Sequence, residues 1–113
     1  MALIDETIRL VMANGDLVYL PELLRVKGGL LLAISVPDVD GAQRCYREAI
    51  ELSRGQGARA WELRSAVDLA ALLAAQGEFE NANALLRPIF EQFVEGLDTA
   101  DLKAAERLLA AVS

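Results

Sequence analysis

The side chains best suited to catalysis are scarce in this sequence. Its 113 residues include no histidine and a single cysteine, Cys45. Ser-His-Asp and Cys-His catalysis require an imidazole, and a structural zinc site takes four Cys or His ligands. A lone cysteine forms no disulfide within the chain and suits a reducing compartment such as the cytoplasm. The composition therefore predicts a protein that is not an enzyme and that holds no metal ion or cofactor.

Carboxylates do occur in close pairs, which is the arrangement used in general acid–base catalysis. The pairs are Asp38/Asp40 and Glu78/Glu80. Each pair lies just before a predicted helix, where acidic side chains stabilise the helix N-terminus. We therefore interpret them as signals for helix starts rather than as a catalytic site.

The distribution of charge argues against a nucleic-acid ligand. The formal net charge is −6, and between Gln76 and Asp101 the only cation is Arg87, against six acidic residues. Nucleic-acid binding normally needs a basic face, because phosphate contacts supply most of the affinity. The first residues are acidic where a signal peptide carries Lys or Arg, and no apolar run reaches about 18 residues. We therefore expect neither nucleic-acid nor membrane binding.

Apolar residues recur every three or four positions nearly everywhere, which predicts helices and no strands. The fifth segment shows this best, with one apolar stripe from Ala82 to Leu97 and a proline, Pro88, that predicts a bend. Asp40 is expected to cap the third helix, and Asp98 with Thr99 the sixth. Gly and Pro separate six helical segments, at 2–13, 21–34, 41–55, 59–76, 79–96 and from 100 onward. The fold class is therefore all-α, as one domain over residues 1–113.

Part of the pattern repeats. Residues 40–49 align with residues 80–89, and Leu23-Leu24-Arg25 matches Leu63-Arg64-Ser65 at the same offset of 40. A helix–turn–helix unit repeated at a fixed period is the signature of an α-solenoid. The small–large–small order of Ala42, Tyr46 and Ala49 resembles the second helix of a tetratricopeptide repeat. This resemblance implies a tetratricopeptide-like α-solenoid of about six antiparallel helices, or about two and a half helix pairs.

The repeat departs from the standard tetratricopeptide in two ways. Its period is 40 residues rather than about 34. The proline that closes the standard repeat is missing near Val94. The interpretation is therefore a tetratricopeptide-like stack rather than a standard array.

Three ordered segments carry a closer resemblance. The segments are PELLRVKGGLL at 21–31, QGARAWELRSA at 56–66 and FVEGLDTADLK at 93–103. Together they are similar to the C-terminal tail of large bacterial multidomain ATPase regulators, which carry a nucleotide-cyclase or DNA-binding output domain at the other end. The resemblance implies a cytoplasmic regulatory tail that contacts other proteins. The first helix has no preceding partner helix, so we expect either a piece of a longer chain, which we favour, or a short protein whose first helix caps the stack.

In such a stack the first helix of each pair lines a concave groove. That position predicts a partner-binding groove that mixes charged, small and apolar side chains. Its predicted residues are Glu22, Arg25, Gly29, Leu32, Arg64, Val67, Asp68, Ala71 and Ala75. The set lacks the cluster of Lys, Arg and Asn that captures acidic peptide tails. An amphipathic helix or another copy of this chain suits it better.

Three further features have a structural and a functional interpretation. Gly28-Gly29 within an apolar helix indicates close helix packing, or backbone exposed to a ligand. Cys45 lies on the apolar stripe of its helix, which predicts a buried and inert thiol. Trp61, the only tryptophan, is expected to pack partly buried, or to anchor a partner.

Three functions remain open from the sequence. The first is a non-enzymatic scaffold for protein–protein contact that acts as a regulatory tail. The second is a homo-oligomerisation module, because Leu3, Ile4, Ile8 and Val11 of the unpaired first helix would seek another copy. The third is a sensor pocket for a small molecule between helices.

Overall fold

Six α-helices make up the described part of the chain. The computed structural model describes residues 1–15, 17–93 and 99–113, and these contain no strand. The helices are α1 (Ala2–Ala13), α2 (Leu20–Ala33), α3 (Val39–Gln56), α4 (Arg59–Ala75), α5 (Phe79–Phe90) and α6 (Ala100–Val112). The all-α prediction is confirmed, and the predicted bounds of α1, α2 and α4 agree within one residue.

The capping residues are partly as predicted. Asp38, not Asp40, caps α3, and its carboxylate accepts from the Gly41 N–H at 2.9 Å. Asp40 was the wrong choice because α3 begins one residue before it, which places Asp40 inside the first turn. Thr99 caps α6 by accepting from the Leu102 N–H. The predicted role of Asp98 lies outside the described residues.

The fifth helix ends earlier than predicted. α5 stops at Phe90, so Pro88 lies in its last turn rather than at a bend inside a longer helix. Proline removes the N–H that would bond to the carbonyl of Ala84 and crowds that carbonyl, which destabilises continuation of the helix. The predicted helix ran on to Gly96, and the part of it from Val94 falls on residues that the structure does not describe.

Glycine in the left-handed region ends two successive helices in the same way. Gly57 (φ 70°) follows α3 and Gly77 (φ 80°) lies in the joint after α4. In each case the next residue donates its N–H to a carbonyl five positions back, from Ala58 to Ser53 and from Glu78 to Leu73, both at 2.9 Å. This is the Schellman pattern, which satisfies the last carbonyls of a helix and reverses the chain.

Helix α4 is at the centre of the packing. It contacts α3 and α5, which adjoin it in the chain, and also α2 and α6. The main core lies between α3, α4, α5 and α6 and includes Leu31 of α2. A smaller cluster joins Leu20 and Leu24 of α2 to Ala49 of α3, with Ile8 and Val11 of α1 packed against it.

Buried positions repeat along the chain. Ala42/Ala82, Tyr46/Leu86 and Ala49/Ile89 are buried pairs 40 residues apart, as predicted for α3 and α5. For α2 and α4 the offset of 40 was wrong, because the buried positions are 42 apart. The buried pairs there are Pro21/Leu63, Leu24/Ala66, Gly28/Ala70 and Leu31/Leu73. The joint between α2 and α3 is two residues longer than that between α4 and α5, which accounts for the difference.

Candidate functional site: a groove along α2 and α4

The predicted groove residues come together on α2 and α4. Five of the nine line one surface cavity of about 470 Å³, which Tyr46 and Leu72 complete. The five are Gly29, Leu32, Asp68, Ala71 and Ala75. We call this cavity the α2–α4 groove. Its floor is made of small side chains, which leave room for an approaching helix.

The charged members of the predicted set lie beside the cavity and form a chain of ion pairs. Arg25 contacts Glu22 and Asp68, each at 3.0 Å. Arg64 contacts Glu22 at 3.4 Å and Asp101 of α6 at 3.1 Å. These contacts link α2, α4 and α6 along one face.

Both arginines of this chain are held in their charged form. Burial alone would lower the pKa of Arg25, but hydrogen bonds from its guanidinium to Glu22 and Asp68 outweigh burial and raise it. A hydrogen bond to Asp101 likewise raises the pKa of Arg64. The two arginines therefore hold the three acidic side chains in place.

Val67 belongs to a different environment from the rest of the predicted set. Its half-buried side chain packs against the main core rather than lining the cavity. A position on α4 one residue from Asp68 points 100° away around the helix, which is enough to leave the groove.

Tyr46 is the groove residue that sequence reasoning missed. It comes from α3 and is only 3% exposed, yet it lines the cavity. Its ring lies on Gly28, and its hydroxyl is 3.9 Å from where a Cβ of Gly29 would be. Within residues 1–15, 17–93 and 99–113 no hydrogen bond is made to that hydroxyl, and it is not one of their fully buried unpartnered atoms. The sequence does contain one signal for this contact. The two adjacent glycines on α2 leave room for an aromatic side chain of the next helix, α3.

Burial and nearby charge keep the Tyr46 phenol protonated. Burial is the main cause that raises the pKa of Tyr46, and the carboxylate of Asp68 raises it further. A neutral phenol retains a hydrogen that it can donate. The groove therefore holds one donor, the Tyr46 hydroxyl, close to one acceptor, the Asp68 carboxylate.

Two other predicted residues lie away from this groove. Cys45 is buried, as predicted, and burial raises the pKa of its thiol. Trp61 is half-buried, with its ring centroid 5.8 Å from that of Tyr19. It lines a second surface cavity of about 580 Å³ with Leu17 and Val18.

The described ranges lack two further kinds of site. Over residues 1–15, 17–93 and 99–113, no three His, Cys, Asp or Glu side chains are grouped so that they could hold a metal ion. None of the helices described has both the length and the apolar character to cross a membrane.

The chain was also compared with known proteins. No family model, curated protein or solved structure showed a significant match to it.

Proposed function

We propose that this protein is a non-enzymatic docking module, a tetratricopeptide-like α-solenoid whose α2–α4 groove binds an amphipathic helix of a partner protein. Support for the solenoid comes from the recurring buried positions of α2, α4 and α6. Leu24, Ala66 and Ala105 are one such set, and Leu31, Leu73 and Val112 are another. The smallest dimension, 19 Å, fits two layers of helices.

The observation that carries the proposal is the cavity that α2 and α4 form beside Tyr46, whose hydroxyl has no hydrogen bond to the described residues. A bound segment that supplies an acceptor would take the place of water at this hydroxyl. The small residues Gly29, Ala71 and Ala75 allow that segment to approach closely.

The groove also restricts the chemistry of the partner. The backbone groups of a helix are already paired with one another, so the partner must meet the Tyr46 hydroxyl and the Asp68 carboxylate with a side chain. Asn and Gln carry an acceptor and a donor in one uncharged group. A lysine could pair with Asp68 but would leave the Tyr46 hydrogen without an acceptor. We therefore expect a carboxamide within the apolar stripe of the bound helix.

The wider role that we propose is that of a regulatory tail in a bacterial signalling or transcription ATPase in the cytoplasm. The support is the three segments at 21–31, 56–66 and 93–103, which resemble the tails of such regulators. Docking of a partner in the groove would then bias the state of the attached ATPase. The module itself would need no cofactor and would contact neither nucleic acid nor membrane.

The groove can be tested with a displayed library of amphipathic helical peptides that vary at their central apolar positions. Ala71→Trp fills the groove, and Ala110→Trp places the same side chain at an exposed position of α6. Helices selected on the wild-type protein should lose at least tenfold in affinity for Ala71→Trp and bind Ala110→Trp unchanged. Selected sequences should be enriched in Asn or Gln, and Tyr46→Phe should weaken them.

Two outcomes would contradict the proposal. Either the library yields no helix that binds the folded protein, or the helices that bind are indifferent to Ala71→Trp. Circular dichroism of each variant establishes that the fold is retained before binding is measured.

A further inference from the structure

Helix α1 has apolar side chains on two sides, and only one side is packed. Ile8 and Val11 pack on the cluster formed by α2 and α3, and Ile4 is half-buried. Leu3 and Leu10 point elsewhere and are 82% and 47% exposed. We expected Leu3, Ile4, Ile8 and Val11 all to seek another copy, but Ile8 and Val11 are already covered by the cluster of α2 and α3.

An ion pair shows which side of α1 faces α3. Lys27 of α2 contacts Asp5 of α1 at 2.6 Å, on the side of α1 nearest α3, where both residues line one cavity with Cys45. Leu3 and Leu10 lie on the opposite flank of α1, since they are about 140–160° from Asp5 around the helix. Val26 and Leu30 of α2 are each about 160° around their helix from Gly28, which packs on α3, so we place them beside this flank.

These four apolar residues form one exposed surface, which we call the outer α1–α2 face. Val26 and Leu30 are 43% and 41% exposed. Together with Leu3 and Leu10 they present roughly 400 Å² of surface, at the size where an exposed apolar patch is often functional. A standard interface takes about 800 Å² from each partner, a little over half of it apolar. The face is therefore large enough to form the centre of a weak dimer.

The charge distribution favours a second copy at this face. All eleven Lys and Arg lie in helices, where they balance eleven of the 17 acidic residues. The six helices as a group therefore carry no net charge. α1 and α2 together carry three acidic and three basic side chains. Two copies can meet side by side along these helices without like-charge repulsion across the contact.

We propose that the outer α1–α2 face binds the same face of a second copy, with the two α1 helices antiparallel about a two-fold axis near Glu6 and Thr7. Leu3 and Leu10 are seven residues apart, so this axis sets Leu3 of each copy against Leu10 of the other. Glu6 and Arg9, which pair within one copy, then face their counterparts and can exchange partners across the axis. None of the four residues of this face lines the α2–α4 groove.

The proposal is tested by light scattering on a sizing column from about 5 to 500 µM protein. The wild-type mass should rise from about 12 kDa toward twice that value across this concentration range. Leu3→Glu with Leu10→Glu should weaken association at least tenfold. Val36→Glu, at an 80% exposed position between α2 and α3, is the matched control and should dimerise as the wild type does.

A second variant tests the orientation. Thr7→Cys places one thiol close to the proposed axis, so mild oxidation should link two copies rapidly, whereas the buried Cys45 alone should not. A wild-type protein that stays monomeric up to 500 µM would overturn the proposal. So would a dimer that survives Leu3→Glu with Leu10→Glu. Helix binding in the groove is measured separately and does not depend on either result.

Discussion

The ring of Tyr46 on α3 lies directly against the backbone of Gly28 on α2. A Cβ atom at Gly28 would be 2.6 Å from the Cε1 atom of Tyr46, which is closer than real atoms come. A side chain of any size at position 28 would therefore push the ring, and with it the hydroxyl at the floor of the groove. This contact ties the packing of α2 on α3 to the shape of the candidate site.

The adjacent glycines should respond oppositely to the same substitution. Gly28→Ala should lower the free energy of unfolding by about 1–2 kcal/mol, because the strain of overpacking exceeds the gain in helix propensity. Gly29→Ala should raise it by about 0.5–1 kcal/mol, because its Cβ would meet only the Tyr46 hydroxyl at 3.9 Å. Urea unfolding followed by circular dichroism measures both. Equal effects of the two substitutions would contradict the close packing.

A second pair of matched substitutions concerns buried serines. The Ser65 Oγ is buried without a hydrogen-bond partner in the described residues, whereas the Ser53 Oγ donates to the Ala49 carbonyl at 2.8 Å. Ser65→Ala should raise the free energy of unfolding by about 0.5–1.5 kcal/mol, because it removes an unsatisfied polar group. Ser53→Ala should change it by less than about 0.5 kcal/mol, since the lost bond offsets the better helix propensity. Thermal and urea unfolding of the two variants measure both changes in the free energy of unfolding. Equal changes would contradict the difference between the two serines.

The contact between Arg25 and Asp68 should couple α2 to α4. Their side chains are 25% and 34% exposed, against 64% and 53% for the surface pair Arg9 and Glu6. A double-mutant cycle with Arg25→Met and Asp68→Ala should give a coupling of about 0.5–1.5 kcal/mol. The corresponding cycle on Arg9 and Glu6 should give less than about 0.5 kcal/mol. Couplings of equal size would show that burial does not strengthen the inner pair.

The protein should lose stability in alkali. Burial raises the pKa values of Cys45 and Tyr46 in the folded state above the ordinary values of about 8.5 and 10. The unfolded chain therefore releases these protons at lower pH, so stability is full below about pH 8 and decreases as the pH rises toward 11.

This dependence can be assigned with two variants. Cys45→Ala should flatten the loss that begins near pH 8.5, and Tyr46→Phe the loss that begins near pH 10. Urea midpoints measured from pH 7.5 to 10.8 check both expectations. An unchanged slope in the double variant would show that other groups are responsible.

The sequence was sufficient to predict the helices because hydrophobic period and turn residues are local signals. Six segments and most of their ends follow from Gly, Pro and the spacing of apolar residues. The cap of α3 was missed because Asp38 and Asp40 both suit the role, and only the backbone geometry selects Asp38. The early end of α5 was missed because the apolar stripe continues past Pro88.

The candidate site was only partly predictable. The position of each residue within its helix pair was enough to predict that Gly29, Asp68 and Ala71 lie together. These residues share one face of two adjacent helices. Tyr46 could not be placed there, because it reaches the groove from α3 only through the space that Gly28 leaves open. Val67 was wrongly assigned to the groove because it lies at the edge of the side of α4 that faces the groove. At that edge a small error in helical phase decides whether a residue is included.

Helix α1 packs weakly on the rest of the protein, and this affects how often it unfolds locally. None of its residues is fully buried, and α2 is the only described helix against which its backbone packs. Such an element opens by local unfolding far more often than the whole protein unfolds. The amide hydrogens of α1 should therefore exchange with solvent first, while those of α4 exchange last. In a dimer built on the outer α1–α2 face, the same amides would become protected as the protein concentration rises.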